Sequence, residues 1–206
     1  LASACSDKTV RVWDLASGDC LAVLEGHSDQ VFGLAFNPKG GSLASAGWDH
    51  SIRIWSTADF RLLRTFEEKN TLLYDVAYSP DGRLLASASR SGEIRLWDLE
   101  EGTSRLLGKH PERVHGLDYS PDGAFVAGLG ADGKIRLWSV TGDPTRPLRV
   151  VEAHSRPGND VHFSPDGKRL ASCGDDGSLR LWQLPEGRAL WWASVLIPTA
   201  AEPVVL

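Results

Sequence analysis

Five short segments that end in tryptophan decide the fold of this chain. They are Thr9-Val10-Arg11-Val12-Trp13, Ser51-Ile52-Arg53-Ile54-Trp55, Glu93-Ile94-Arg95-Leu96-Trp97, Lys134-Ile135-Arg136-Leu137-Trp138 and Ser178-Leu179-Arg180-Leu181-Trp182. The tryptophans follow one another at intervals of 42, 42, 41 and 44 residues. Within each segment apolar and polar residues alternate with a period of two, which indicates a β-strand with one buried face. The chain is therefore built from repeats.

A proline-containing turn stands between successive tryptophan segments. The four turns are Asn37-Pro38-Lys39-Gly40, Ser79-Pro80-Asp81-Gly82, Ser120-Pro121-Asp122-Gly123 and Ser164-Pro165-Asp166-Gly167. Proline presets φ for such a turn, and glycine tolerates the positive φ that often closes it. Apolar strands flank each turn, and a further strand follows each tryptophan. Each repeat thus predicts four short antiparallel strands and no helix, which is the pattern of a propeller blade.

The repeats resemble the WD-repeat (WD40) family over nearly the whole chain. Trp13-Asp14 and Trp97-Asp98 are literal WD pairs, and Gly26-His27 matches the GH pair of that family. The resemblance implies an all-β propeller of four-stranded antiparallel blades, four of them full and one partial. The expected blades are approximately 1–25, 26–68, 69–109, 110–153 and 154–193.

The two ends of the chain suggest that it is part of a larger ring. It contains no Met and begins with Leu1-Ala2-Ser3-Ala4, which reads as the middle of a strand. Since most members of the resembled family have seven blades, we expect a piece of a seven-bladed propeller, with a closed five-bladed ring as the alternative. Residues 1–188 are assigned to the propeller. Residues 189–206 are assigned to a last strand and an apolar tail, the candidate point of exit from the propeller.

His, Ser, Asp and Trp recur at fixed offsets within the repeats. The sets are His27, Ser45, Asp49 and Trp55; His110, Asp132 and Trp138, with Gly128 in place of Ser; and His154, Ser172, Asp176 and Trp182. In the third repeat Lys69 and Ser91 occupy the His and Asp positions, so that only Ser87 and Trp97 remain. The resemblance implies a structural hydrogen-bond relay within each blade. Recurrence argues against a Ser-His-Asp catalytic triad, because an active site occurs once.

The resemblance also implies which positions contact partners, namely the residue before the relay Asp and two residues at the start of the first strand. These positions are Gln30, Phe32, Trp48, Leu72, Tyr74, Arg90, Arg113, His115, Ala131, Pro157, Asn159 and Asp175, with Ser6 in the first repeat. Trp, Tyr and Arg dominate binding hot spots. We expect Trp48 and Phe32 to anchor a protein or peptide partner, and simple packing of these rings is the alternative.

Composition excludes several other classes of ligand. The net charge of −5 and the lack of a basic stripe argue against nucleic acid. Cys5, Cys20 and Cys173 form no CxxC pair, which favours a reducing, cytoplasmic compartment. The longest apolar stretch, about 12 residues from Leu190, is too short to span a bilayer. Histidines and cysteines show no zinc spacing. We expect no metal, no cofactor, no membrane contact and no small-molecule substrate.

The leading functional prediction is a rigid platform for protein–protein interaction, in the manner of a sensor or scaffold region of a signalling protein. A propeller enzyme is the alternative from another class. Its catalytic groups would lie around the central channel, where Asp75, Asp118, Asp160 and His162 are the candidates. A third possibility is a purely structural spacer, which differs from the first only in having no partner.

Overall fold

The computed structural model describes residues 1–183 and the backbone of residues 192–195. Nineteen strands occur in these residues, and no helix does. They form one three-stranded and four four-stranded antiparallel sheets, in which neighbouring strands follow one another along the chain. The all-β propeller of four full blades and one partial blade is therefore confirmed.

The strands of the first three blades alternate with short turns. Blade 1 contains β1 (Ala2–Ala4), β2 (Val10–Trp13) and β3 (Cys20–Leu24). Blade 2 contains β4 (Val31–Phe36), β5 (Ser42–Gly47), β6 (Ser51–Ser56) and β7 (Leu62–Glu67). Blade 3 contains β8 (Leu73–Tyr78), β9 (Leu84–Ser89), β10 (Glu93–Asp98) and β11 (Ser104–Lys109).

Blades 4 and 5 repeat this order. Blade 4 contains β12 (Val114–Tyr119), β13 (Phe125–Gly130), β14 (Lys134–Ser139) and β15 (Arg149–Glu152). Blade 5 contains β16 (Gly158–Phe163), β17 (Arg169–Gly174), β18 (Leu179–Gln183) and β19 (Trp192–Val195). The backbone of β19 pairs with β18. The remaining prediction for the tail, its exit from the propeller, lies outside the described residues.

The Ser-Pro-Asp-Gly turns join the first and second strands of blades 3, 4 and 5. In blade 3 the Ser79 hydroxyl donates to the Asp81 carboxylate at 2.6 Å, and it accepts a bond from the Leu84 N–H at 2.9 Å. Ser120 and Ser164 make the same two bonds in blades 4 and 5. The short polar side chains thus satisfy the turn backbone locally, which fixes the register of the strands on either side.

The core consists of apolar layers between successive blades. In blades 2 to 5 the tryptophan strand turns its indole towards the preceding blade, so that Trp55 packs with Val10 and Val12 of blade 1. The equivalent pairs are Trp97 with Ile52, Trp138 with Ile94, and Trp182 with Ile135. All four of these indoles are buried. Trp13 of blade 1 is only partly buried.

The inner strands β4, β8, β12 and β16 share a bulge near their first residues. A bulge sets two consecutive side chains of one strand against a single residue of its neighbour. The register shifts fall immediately before Gly33, Asp75, Gly116 and Asp160, at the unpaired residues Phe32, Tyr74, His115 and Asn159. A Cβ on Gly33 would lie 2.6 Å from the Asp75 Cα, and one on Gly116 would lie 2.6 Å from the Asp160 Cα. Glycine on alternate inner strands therefore lets the neighbouring aspartate strands approach closely.

Candidate functional site

Blade 2 contains an unbroken hydrogen-bond relay across its strands. The Trp55 Nε1–H donates to the Ser45 hydroxyl at 2.8 Å, and the same hydroxyl lies 2.7 Å from His27 Nε2. His27 Nδ1 lies 2.9 Å from the Asp49 carboxylate. Burial alone would raise the pKa of Asp49, but hydrogen bonds from His27, the Ser28 N–H and Ser51 outweigh it and hold that pKa well below its usual range.

Blade 5 repeats the relay with nearly the same distances. Trp182 Nε1 and His154 Nε2 both lie 2.9 Å from the Ser172 hydroxyl, and His154 Nδ1 lies 3.0 Å from Asp176. Ser45 and Ser172 are buried, and each hydroxyl is committed to two partners inside the blade. A nucleophilic serine must reach a substrate, so this geometry favours a structural role over acyl transfer.

In blade 4 the predicted relay through His110, Asp132 and Trp138 is interrupted. Gly128 supplies no hydroxyl, and both His110 Nε2 and Trp138 Nε1 are buried without a hydrogen-bond partner. Arg136 lies between the other two members, since its Nη1 is 2.7 Å from both His110 Nδ1 and the Asp132 carboxylate. The direct separation of His110 Nδ1 and Asp132 is 3.8 Å. No unbroken chain of hydrogen bonds therefore joins the three predicted relay residues of this blade.

In blade 3 a glutamate replaces the missing histidine. The repeat pattern places Lys69 at that position, but the Ser87 hydroxyl donates a hydrogen bond to Glu68, at 3.3 Å. Ser87 in turn accepts the Trp97 Nε1–H at 2.9 Å. Burial raises the pKa of Glu68 to about 7, although the positive charge of Arg95 lowers it. In the sequence, this glutamate stands one residue before the position where the other repeats have His. Counting fixed offsets from the tryptophan therefore misses it.

Blade 1 contains only part of the relay. The Trp13 Nε1–H donates to the Ser3 hydroxyl at 2.9 Å. Asp7 accepts from the Thr9 hydroxyl and from Arg11 at 2.6 and 2.7 Å. Ser3 and Asp7 thus occupy the relay positions of blade 1, but Asp7 is bound to Thr9 and Arg11 and not to a histidine.

The predicted partner positions lie on one face of the propeller. This face is formed by those ends of the inner strands where the bulges occur. In blade 2 the Trp48 N–H donates to the Gln30 carbonyl at 2.8 Å, which joins the second-to-third-strand turn to the start of the first strand. The same 2.8 Å backbone bond joins Arg90 to Leu72, Ala131 to Arg113, and Asp175 to Pro157. The backbone at these positions is thus uniform around the face, and only the side chains differ between blades.

Aromatic rings form a continuous group across three blades of this face. The Phe32 and Trp48 rings are stacked with centroids 4.7 Å apart, and Tyr74 packs edge-on against them at 5.8 and 5.9 Å. Tyr74 also contacts the His115 ring of blade 4, at 5.1 Å. Phe32 is 44% exposed. The structure thus brings together the four predicted ring residues, and it leaves part of their surface accessible.

Polar contacts extend this group to blades 4 and 5. Arg113 Nε donates to His115 Nε2 at 2.7 Å, and His115 Nδ1 lies 2.8 Å from the Gly158 carbonyl. His115 Nε2 accepts from Arg113, and its Nδ1–H donates to the Gly158 carbonyl. The Asn159 amide donates to Asp175 at 2.9 Å. Arg90 and Ser6 are exposed at the same turn positions, in blades 3 and 1.

The channel residues considered for an enzyme are paired with one another and with the backbone. Asp75 accepts the Val76 and Leu117 N–H groups, and Asp118 accepts the Phe163 N–H. His162 lies between Asp118 and Asp160. Among residues 1–183, no three His, Cys, Asp or Glu side chains are grouped so as to hold a metal ion.

These features define the class of protein: a WD-repeat β-propeller, with a Trp-Ser-His-Asp relay complete in two of its blades. A family model described as the first β-propeller of IFT122 matches residues 1–192, and the chain belongs to that family. In the part of the chain that the structure describes, no helix is long and apolar enough to cross a membrane.

Two curated proteins show similarity over the length of about one repeat. The nuclear distribution protein PAC1 of Mycosarcoma maydis is 54% identical over 43 residues, 21% of this chain and 10% of PAC1. Coronin-7 of Bos taurus is 54% identical over 44 residues, 21% of this chain and 5% of coronin-7. The chain thus spans a small part of each relative, and the likeness concerns the blade as a unit.

Proposed function

We propose that the chain is a protein-interaction platform whose binding surface is the aromatic face formed by Trp48, Phe32, Tyr74 and His115. The observation that supports this most is the contact of these four rings across three blades on one partly exposed surface. The relay residues lie inside the blades and recur, so they explain stability. What differs between blades, and therefore distinguishes one partner from another, is the set of side chains on this face.

Membership of a propeller family supports scaffolding in general. We extend the proposal to a scaffold or sensor region of a signalling protein in a cytoplasmic, reducing compartment. All three cysteines are free thiols, as such a compartment requires. Residues flanking this chain in its reading frame test the extension, because a kinase or nucleotide-driven switch domain there would support it and a secretory leader would contradict it.

Affinity measurements on two alanine variants test the platform itself. A partner is first isolated by affinity capture and purified, and its dissociation constant is then measured by calorimetry. Trp48→Ala is expected to weaken binding about 30-fold, since an aromatic hot spot contributes roughly 2 kcal/mol. The matched control is Phe36→Ala, which removes an aromatic ring that is 47% exposed at the opposite end of β4. Equal affinities for the parent and the folded Trp48→Ala protein would refute the proposal.

A further inference from the structure

A cavity of about 600 Å³ opens beneath the aromatic face, at the centre of the propeller. Its upper wall includes the rings of Phe32 and Tyr74, and its lower wall includes Asp75, Asp160 and His162. The bulge in β8 explains why Tyr74 and Asp75, which are consecutive, both line it. Asn159 and Asp160 line it in the same way, at the bulge of β16. Rings and carboxylates therefore meet within one concave site.

The lower part of the cavity carries an excess of negative charge. His162 lies 3.1 Å from Asp160 and 3.6 Å from Asp118, and these two partners, Asp118 first, raise its pKa to about 10. His162 is thus a cation at neutral pH. One imidazolium faces the carboxylates of Asp75, Asp118 and Asp160.

Asp75 is the carboxylate that forms no ion pair, because His162 pairs with Asp118 and Asp160 and acts on Asp75 only from further away. Its two oxygens accept backbone N–H groups, from Val76 at 2.8 Å and from Leu117 at 2.9 Å, and residues 1–183 provide it with no ion pair. Burial raises the pKa of Asp75 to about 7, although the hydrogen bond from the Leu117 N–H lowers it. The nearby negative charge of Asp160 adds to the rise. A bound cation would relieve both the burial of this charge and its repulsion from Asp160.

We propose that this cavity receives one basic side chain, an arginine or lysine from a partner peptide. Its guanidinium or ammonium group would have the rings of Phe32 and Tyr74 on one side and the carboxylates of Asp75 and Asp160 on the other. The proposal deepens the proposed function, on which it rests. Aromatic faces attract organic cations, and an alkyl stem packs against such rings. A metal ion fits less well, because among residues 1–183 no three His, Cys, Asp or Glu side chains are grouped so as to hold one.

The surroundings of the cavity narrow the kind of peptide. Arg113, which donates to the lining residue His115, is exposed, and so is Arg90 at the matching turn of blade 3, so a run of several basic residues would be repelled there. The expected ligand is a single basic residue flanked by neutral or acidic ones. Binding should also strengthen as pH rises from 6 to 8, because the cation prefers the ionised form of Asp75 and that group titrates near 7.

A pair of pentapeptides tests the proposal without knowledge of the natural partner. Acetyl-Ala-Ala-Arg-Ala-Ala-amide and the same peptide with neutral citrulline are titrated into the ¹⁵N-labelled protein. The Val76 and Leu117 amide signals are followed, because these groups donate to Asp75. We expect saturable shifts with the arginine peptide and at least tenfold weaker binding of the citrulline peptide. Asp160→Asn should weaken arginine binding several-fold, while the exposed control Glu112→Gln should leave it unchanged.

Three results would overturn the proposal: no saturable binding of the arginine peptide, equal binding of the citrulline peptide, or equal loss in the Asp160→Asn and Glu112→Gln proteins. Folding of each variant is checked by circular dichroism. Tyr74→Leu is a second test variant, which removes an aromatic ring of the cavity and leaves the carboxylates in place. A natural partner whose affinity depends on Trp48 and not on Asp160 or Tyr74 would refute the basic-residue site alone and leave the platform standing.

Discussion

Replacing Gly128 by serine together with Ile94 by valine should repair the interrupted relay of blade 4. In the parent protein His110 Nε2 and Trp138 Nε1 are buried without partners. Arg136 donates to His110 Nδ1, so the proton of this imidazole is on Nε2. Two donors therefore face the place where the other blades have a serine hydroxyl. A hydroxyl has two lone pairs, so the side chain introduced by Gly128→Ser would accept from both.

The second substitution makes room for the first. A Cβ on Gly128 would lie 2.5 Å from the Ile94 Cδ1, an atom that valine lacks. The chain provides a precedent, because the residue equivalent to Ile94 in blade 1 is Val10, and it packs with Trp55 beside Ser45. An unsatisfied buried donor costs about 1–3 kcal/mol, and Ile→Val costs about 1 kcal/mol. The double variant should therefore be about 2 kcal/mol more stable than the parent.

Urea denaturation of the parent, both single variants and the double variant measures the coupling. Gly128→Ser alone should gain little, since overpacking against Ile94 costs about 1–3 kcal/mol. Ile94→Val alone should lose about 1 kcal/mol. The interaction energy in this cycle should be about 3 kcal/mol. Strict additivity, or a double variant no more stable than Ile94→Val, would show that the two donors gain nothing from a hydroxyl and would refute the account of blade 4.

Two further predictions concern the relays of blades 3 and 2. In blade 3 the pKa of Glu68 is raised to about 7, so the folded state binds its proton more tightly than the unfolded state does, and stability should fall as pH rises from about 4.5 to 7. Glu68→Gln should lessen this fall by about 2–3 kcal/mol in urea denaturation at pH 5 and 7.5; parallel pH profiles of the two proteins would contradict the assignment. In blade 2 Ser45→Ala should cost about 2–4 kcal/mol, because Trp55 and His27 both lose a buried partner. The partly exposed Ser3→Ala of blade 1 should cost under about 1 kcal/mol, and similar losses in the two variants would argue against the relay's importance.

The repeat pattern was sufficient to predict the blades, because both the alternation that ends in Trp and the Ser-Pro-Asp-Gly turn have local physical causes. Alternation requires only that one side of a strand be buried, and the turn satisfies its own backbone through Ser79 and its equivalents. The positions of the face residues followed from the same regularity, as the uniform 2.8 Å bond from Trp48 to Gln30 and its counterparts shows.

The departures from the repeat were less predictable, because they depend on contacts between residues that lie far apart within a repeat. The exchange of Lys69 for Glu68 requires a shift of one residue in the segment before β8, and offsets counted within a repeat assume no such shift. The position of Arg136 between His110 and Asp132 accompanies the loss of a hydroxyl at Gly128, and each residue alone looks like ordinary drift. Distances between these side chains in the folded blade are needed to see that the changes are coupled.

The same distinction separates scaffold from function in this protein. Where blades share the same residue, its hydrogen-bond partner lies within the blade, as Trp55 and Trp182 illustrate through Ser45 and Ser172. Where blades differ at one position, the side chains meet at the face or the channel, as Phe32, Tyr74, His115 and Asn159 do around the central cavity. A repeat fold fixes the backbone at such positions independently of the side chain, so they can change without cost to the blade. Binding specificity should therefore depend on these positions, and exchange of Phe32 and Tyr74 for the residues of another family member is expected to alter partner choice while the unfolding free energy stays nearly constant.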